Sequence, residues 1–413
     1  RKFGEGFKLV FGNISLKGEK GKNGEMTTFQ SLATAIAAQV GTGNLAGAAT
    51  ALIGGGPGAI FWMWVSAFFG MSTIYAEATL AQQYKVQKDG EVTGGPVYYI
   101  RAAFKGTFGK ALAAIFAILI VLALGFTGNM VQSNSIGAAF SEVFSARNIE
   151  IPSIVFGLIL AAVIGFIFLG GVNRLASVVE KIVPIMAGIY IVGSLVLILM
   201  NITALPKAIK MIFVGAFNPE AVVGAGAGIA VREAIRFGVA RGLFSNEAGM
   251  GSTPHAHARA KVENPHKQGL AAMISVFIDT FIILNLTVFS ILTTGVLDSG
   301  KEGTALTQAA FTKGVGNFGD IFVAVCLLFF AFSTILGWHF FGEVNVKYLF
   351  GEKAAKFYSI LVIGFVIVGS TLKVQLVWSL SDFFNGLMVI PNAIALWALS
   401  GIVVKICKQY GKK

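Results

Sequence analysis

Val40-Gly41-Thr42-Gly43-Asn44, with Gly47 just beyond, stands in the middle of an otherwise apolar run from 27 to 53. The run is long enough to cross a bilayer, since about 20 apolar residues span the ~30 Å hydrocarbon core. Two glycines, a threonine and an asparagine at its centre read as an interruption of that helix. Unwinding a helix in lipid frees backbone N–H and C=O groups, which must then face protein, an ion or a substrate. The N-terminus of a half-helix favours a carboxylate, and freed carbonyls favour a cation or an ammonium group. A zwitterionic amino acid together with Na⁺ satisfies both ends at once. The bland alternative is a seam of small residues packing two helices closely; the Thr-Gly-Asn inside the apolar run weighs towards the interruption. Dinucleotide binding is poorly served, because the spacing is not GxGxxG and no strand precedes it.

The rest of the chain has the same character. Of its 413 residues 55% are apolar and 13% charged, and the mean hydropathy is +0.76. A soluble domain carries roughly a quarter charged residues, so most of this chain has no side meant for water. Gly (51) and Phe (36) are heavily used; small residues allow close helix packing in lipid. Ten segments are predicted to span: about 27–53, 58–83, 109–141, 152–171, 175–201, 222–240, 269–297, 319–342, 356–372 and 383–406. Residues 203–215 are short and amphipathic and read as a helix lying on the surface. The fold class is an all-α polytopic membrane protein. Cys326 lies in an apolar run and Cys407 in a basic tail, a placement that speaks against a disulfide.

Alternate connections sort the charges. With the N-terminus on side one, that side receives 24 of the 32 Lys and Arg, and the other receives 8. The bias places side one, with both ends of the chain, in the cytoplasm of a multi-pass plasma-membrane protein. The net charge of +12 is therefore a topology signal, and no nucleic-acid partner is expected. The chain opens at Arg1 with neither Met nor a signal peptide, which leaves room for residues upstream.

Ten spans divide into two sets of five, and an odd number per set makes the second set run inverted, as in many secondary transporters. The expected organisation is a cytoplasmic segment 1–25, a first five-helix repeat 26–205, and an amphipathic linker with a second repeat and basic tail 206–413. A break in the sixth segment, matching that in the first, is expected at Phe237-Gly238-Val239-Ala240-Arg241-Gly242, after the glycine-rich approach Gly224 to Gly228.

Further polar residues stand inside apolar helices. Ser333 and Thr334 supply adjacent hydroxyl oxygens suited to an alkali cation, although such hydroxyls often bond back to their own helix. Asn129, Gln132, Ser133, Asn134 and Ser135 lie in the third segment, with Phe140 about two turns beyond Gln132. Asp279 is a carboxylate deep in the seventh segment and a functional candidate by default. Glu77, near the end of the second segment, reads as a cap or a snorkelling group. Glu233 and Glu247 are expected to flank the sixth-segment break, with Arg241 and Glu247 as a gate pair or a plain surface pair. His255 and His257 have no Cys or acidic partner at metal-ligand spacing, and are expected in a solvated basic loop beside Arg259 and Lys261. No Ser/His/Asp set or HExxH motif supports a membrane-embedded enzyme.

Two stretches carry a family resemblance. Gly55-Gly56-Pro57-Gly58-Ala59-Ile60-Phe61-Trp62-Met63-Trp64-Val65 resembles the signature of the alanine or glycine:cation symporters, also called sodium:alanine symporters. Gly242-Leu243-Phe244-Ser245-Asn246-Glu247-Ala248-Gly249-Met250-Gly251-Ser252 is similar to a second block of that family. Members usually begin with one more hydrophobic helix, which would make eleven. The resemblance implies a 5+5 inverted-repeat transporter fold with broken helices 1 and 6, of the kind shared by amino acid/polyamine/organocation-type transporters. It implies that Thr42 and Gly43 offer N–H groups to a substrate carboxylate. It also implies a sodium site built from the carbonyls of Ala37 and Val40 with the hydroxyls of Ser333 and Thr334. Asn44 aligns with a residue that ligates a second ion in some relatives, and Phe237 and Gly238 would line the pocket from helix 6. Gln132 and Phe140 are assigned to the pocket by position.

The expected function is Na⁺-coupled symport of small neutral amino acids, alanine and glycine, by alternating access, with Na⁺ as coupling ion and no cofactor. Ion and substrate would favour one another's binding by a coupling energy of ~1–3 kcal/mol. The rivals are a proton-coupled carrier using Asp279, a membrane-embedded enzyme and a channel.

Overall fold

The computed structural model describes residues 2–12, 26–88, 90–218 and 231–411, and nearly all of them are helical. A short amphipathic helix, α1 (Phe3–Phe11), precedes the first apolar segment. That segment is two helices, α2 (Thr28–Gln39) and α3 (Gly43–Gly55), bent by 44° at the break. Then come α4 (Gly58–Gln83), a hairpin of β1 (Val86–Lys88) and β2 (Glu91–Thr93) paired Val86 to Thr93, and the short α5 (Pro96–Ala103). Next are α6 (Gly106–Ser145), α7 (Ser153–Phe168), α8 (Gly171–Met200) and the surface helix α9 (Leu205–Phe217). The second half holds α10 (Val231–Asn246), α11 (Pro254–Arg259) and α12 (Pro265–Thr294). It ends with α13 (Gly303–Val315), α14 (Gly319–Phe350), α15 (Glu352–Gly369) and α16 (Val374–Tyr410).

Among the described residues, six helical stretches and the bent pair α2–α3 have the length and composition to cross a membrane. Their outer faces expose large apolar side chains such as Phe68, Phe69, Phe166, Leu169, Phe357, Ile360 and Trp397. Water would penalise such a surface, whereas lipid covers it at no cost. The interior is close-packed, with Trp338, Tyr190, Phe330, Phe340 and Phe341 fully buried on or against α14.

Two closures frame that centre. On the side of the chain ends, Met26 donates its N–H to the carbonyl of Arg259 at 2.9 Å and accepts from the N–H of Lys261 at 3.0 Å. This pins the start of α2 to the end of α11. Thr27 and Gln30 form a reciprocal cap at the start of α2, and the Gln30 amide reaches Glu180 of α8 at 2.9 Å. On the opposite side, Arg241 of α10 makes a two-pronged pair with Asp382 of α16, at 2.6 and 2.8 Å.

The sixth segment departs from its expected form. Residues 219–230, and with them the approach Gly224 to Gly228, lie outside the described residues, as do 13–25 of the N-terminal segment. From Val231 the helix is continuous through Phe237–Gly242 to Asn246, and the chain leaves helical geometry only at 247–253. Gly238 is a packing residue, and Gly242 faces Met63 at ordinary contact distance. A Cβ on Gly238 would meet the carbonyl of Ala59 and, at 2.7 Å, the Cβ of Trp62 on α4.

Candidate functional site

The break between α2 and α3 is closed by side chains that replace the missing helical partners. Val40 has extended backbone, and Gly41 donates its N–H to Asn44 Oδ1 at 2.9 Å. Thr42 donates both its N–H (3.1 Å) and its hydroxyl (2.6 Å) to Gln132 Oε1 of α6. The Gln132 Nε2 has no hydrogen-bond partner among the described residues. Gly43 faces α10 so closely that a Cβ would lie 3.0 Å from the Cα of Ser245 and 3.2 Å from the Phe244 ring. Any side chain at Gly43 would have to push these neighbours back by a few tenths of an ångström.

Asn44 lies in a π-helical turn, Gly43–Gly47, and Asp279 in another, Phe277–Leu284. Such turns rotate side chains off the ordinary helical period and recur at functional sites. The two residues meet. Asn44 Nδ2 donates to Asp279 Oδ1 at 2.7 Å. Ser245 Oγ lies 3.0 and 2.9 Å from the two carboxylate oxygens, and Thr280 Oγ1 donates to Oδ2 at 2.9 Å. Asp279 is completely buried. Its partners are the Asn44 amide and the Ser245 hydroxyl, from two other helices, and the hydroxyl of its own neighbour Thr280.

On the other side of the break, Thr334 Oγ1 lies 2.9 Å from the carbonyl of Ala37 and 3.0 Å from that of Phe330. Ser333 Oγ is 2.9 Å from the Phe330 carbonyl and 3.4 Å from that of Ala37. Two hydroxyls and two carbonyls thus converge beside Val40, the residue at which α2 ends. This is a set of hard oxygens of the kind alkali cations take, and the carbonyls of an unwound helix contribute to such sites in broken-helix transporters.

Several expected pocket residues fall elsewhere. Phe237 packs at the far end of α3, where a Cβ on Gly54 would touch its ring, and Arg236 covers its face at 5.3 Å. Phe140 stacks on Phe156 of α7 at 5.5 Å and lines an apolar cleft of about 430 Å³ with Phe144, Leu160, Phe329 and Phe332. Eight residues from Gln132 amount to about 80° around a helix, which turns Phe140 away from the break. The aromatic walls near Gly43 are instead Phe244 and Trp338. Their rings meet edge to face at 5.6 Å, and Phe244 also packs on Trp378 at 4.7 Å. Arg241 lies over Trp378 at 4.4 Å, roofing the same cluster.

Three further expectations are corrected. Arg241 and Glu247 do not pair: Arg241 binds Asp382, while Glu247 accepts from the Trp338 indole at 2.5 Å and from the Ser252 hydroxyl. The break at 247–253 therefore has Glu247 at its start, and Glu233 lies in the first turn of the described helix, paired with Arg236. His255 and His257 are buried and not solvated. His255 lies 2.8 Å from the Asn345 amide and 2.6 Å from the Ser252 carbonyl, and His257 lies 2.7 Å from the Gln268 amide.

The family model described as the sodium:alanine symporter family matches residues 1–413. The sodium/alanine symporter AgcS of Methanococcus maripaludis is 41% identical over 395 residues, covering 94% of this chain and 85% of that protein. The probable sodium/glutamine symporter GlnT of Bacillus subtilis is 41% identical over 390 residues, covering 94% and 79%. Among solved structures, MhsT in complex with L-phenylalanine superposes with a TM-score of 0.65 at 14% identity, over 91% of this chain and 90% of that one. That likeness gives the fold, inverted five-helix repeats with broken helices.

Proposed function

The chain belongs to the sodium:alanine symporter family, whose members are transporters and not enzymes, and on that premise we propose that it carries small neutral amino acids, alanine and glycine, together with Na⁺ by alternating access. The observation that carries the proposal is the convergence of the Ala37 and Phe330 carbonyls with the Ser333 and Thr334 hydroxyls at the end of α2. A Na⁺ ion held there, with the Val40 carbonyl, would tie α2 to α14 and fix the shape of the break. The Asp279, Asn44, Ser245 and Thr280 cluster is a second oxygen-rich centre, suited to support the broken helices or to hold a second cation.

The substrate carboxylate would be received by the N–H groups of Thr42 and Gly43 and by the unpartnered Gln132 Nε2, displacing the Gln132 Oε1 contact now made by Thr42. Phe244 and Trp338 would restrict the side chain. Residues 26–205 and 206–413 would act as the two repeats. The side of the chain ends would face the cytoplasm. Arg241 is buried within α10 and is not a loop charge, and removing it from the basic count leaves 23 against 8. The Arg241–Asp382 pair would then close the outer side and the Met26 bridge the inner one.

The direct test is uptake of labelled alanine into proteoliposomes with an inward Na⁺ gradient or with choline at fixed pH. Accumulation that needs Na⁺ supports the reading. The second reading, proton coupling through Asp279, is favoured by that residue's having no Lys or Arg among its hydrogen-bond partners in the described residues. It requires undiminished uptake in choline.

A further inference from the structure

A buried carboxylate outside the ion and substrate geometry holds the second break. Glu77 of α4 is completely inaccessible. Its Oε2 accepts from the N–H of Gly249 at 3.0 Å, and its Oε1 accepts from the N–H of Gly251 at 2.8 Å and from Asn392 Nδ2 at 2.6 Å. Gly249 and Gly251 both have left-handed backbone, with φ of 93° and 78°. Backbone N–H groups presented by such a turn form a concave nest that binds an anion. Asn392 of α16 adds its second contact to the Gly249 carbonyl at 2.9 Å and accepts from the Tyr99 hydroxyl of α5. One carboxylate therefore joins α4, α16 and the 247–253 turn, with α5 behind them.

The turn so held bears on the site at its start. Immediately before it, Ser245 meets Asp279, and Asn246 takes the Gln39 amide on its carbonyl at 2.7 Å. At its start, Glu247 fixes the Trp338 indole. We propose that Glu77 is a positioning residue for transport: its carboxylate fills the nest in the helix 6 break and thereby sets where Ser245 and Trp338 stand around the substrate. The donors are two backbone N–H groups and an amide, so the nest requires an acceptor with two oxygens. Glutamine offers one, leaving one N–H orphaned and turning an NH₂ towards donors.

The proposal depends on the transport reading for its assay, and the two fail separately. A wild type that carries a different amino acid removes the alanine assignment, and the comparison below is then made with that amino acid. The protein is purified, checked for monodispersity and reconstituted, and KM and maximal rate are measured by uptake of labelled alanine. Glu77→Gln should raise KM at least five-fold, and Glu77→Asp should recover most of that loss. Gly249→Ala strains the same nest while its Cβ meets only Thr73 at 3.4 Å. Combined with Glu77→Gln it should add less than a further two-fold, because both changes break one unit. Where Glu77→Gln does not yield monodisperse protein, Asn392→Ala should raise KM two- to five-fold. A KM within two-fold of wild type in Glu77→Gln (or in Asn392→Ala when that is the variant measured) overturns the proposal. So does aspartate no better than glutamine, or effects of Glu77→Gln and Gly249→Ala that multiply in full.

Discussion

The two interruptions at the centre of this molecule are held by different means. In the first, two of the three residues between α2 and α3 are satisfied by amides: Asn44 takes the Gly41 N–H and Gln132 takes that of Thr42. In the second, the chain is non-helical over 247–253 and is served largely by carboxylates. Glu77 fills the glycine nest, Glu247 binds Ser252 and Trp338, and Asn246 caps the Ala248 N–H at 3.1 Å. The first break is short and carries much of its own polar complement. The second is long and borrows its key group from a helix some 170 residues earlier in the chain. A break served by neutral amides can exchange its contacts for a substrate without stranding a charge. One built round a buried carboxylate cannot, since an unpaired buried charge is far costlier than an unpaired amide. The first break is thus the adaptable side of the site and the second its fixed side.

Asp279 joins the two, touching Asn44 of the first and Ser245 of the second, so its substitution is the severest way to break the comparison. In Asp279→Asn one oxygen must serve three donors, and an amide N–H₂ faces the Asn44 amide. Each buried donor left unsatisfied costs about 1–3 kcal/mol. Uptake of alanine should fall on the order of 100-fold, with the residual transport still driven by Na⁺ and indifferent to pH. If the variant loses gradient-driven accumulation yet still exchanges substrate across the membrane, and the wild type works in choline, the coupling ion is the proton.

A smaller effect is expected where the first break meets α14. Replacing Ser333 and Thr334 together by alanine removes both hydroxyls but leaves the Ala37 and Phe330 carbonyls in place. Loss of hydrogen-bond-strength contacts to a charged partner is worth about 1.5–3 kcal/mol. The Na⁺ concentration for half-maximal uptake should therefore rise by roughly ten-fold or more, with the alanine KM at saturating Na⁺ changed much less. An unaltered Na⁺ dependence in folded protein removes these hydroxyls from an ion site.

The first break was legible in the sequence because its polar residues interrupt an apolar run, and its neighbours Gln132, Ser333, Thr334 and Asp279 are themselves polar within apolar helices. All stand around the break in the structure. For the second, the glycines at 237–242 point about ten residues too early in the chain, since the helix ends at Asn246. Gly238 and Gly242 were read as unwinding, whereas Gly238 serves close approach of α10 to α4, and glycine composition does not separate the two uses. The signal available was Glu247 followed by Gly249 and Gly251, a carboxylate and two glycines in the block 242–252. It gains meaning only once Glu77, remote in sequence, is brought beside it. Asn44 and Asp279 meet through π-helical turns, which a regular period of 3.6 residues cannot anticipate. The histidines at 255 and 257 look like part of a solvated basic loop, but they are drawn inside by packing between Phe116 and Phe341 and by the Gln268 amide.

The mildest test contrasts two phenylalanines of one helix, seven residues apart on α10. Phe244 is almost wholly buried between Trp338 and Trp378, one residue before Ser245. Phe237 is only half-buried and lies against Gly54 and Gly55 at the far end of α3. A ring bounding the pocket acts on selectivity, because each added methylene in an apolar site is worth about 1–3 kcal/mol and exclusion beyond that needs a steric wall. Phe244→Ala should therefore improve competition by leucine roughly ten-fold while weakening alanine. Phe237→Ala removes a packing contact outside the pocket. A fully buried Phe→Ala change costs about 3–5 kcal/mol, and half-burial puts this one nearer 1–2 kcal/mol, felt as a lower unfolding temperature. Its alanine KM and its rejection of leucine should stay within two-fold of wild type. If Phe237→Ala instead admits leucine, the pocket extends along α10 towards its N-terminal end. The adaptable side of the site would then include the helix that is here assigned to the fixed one.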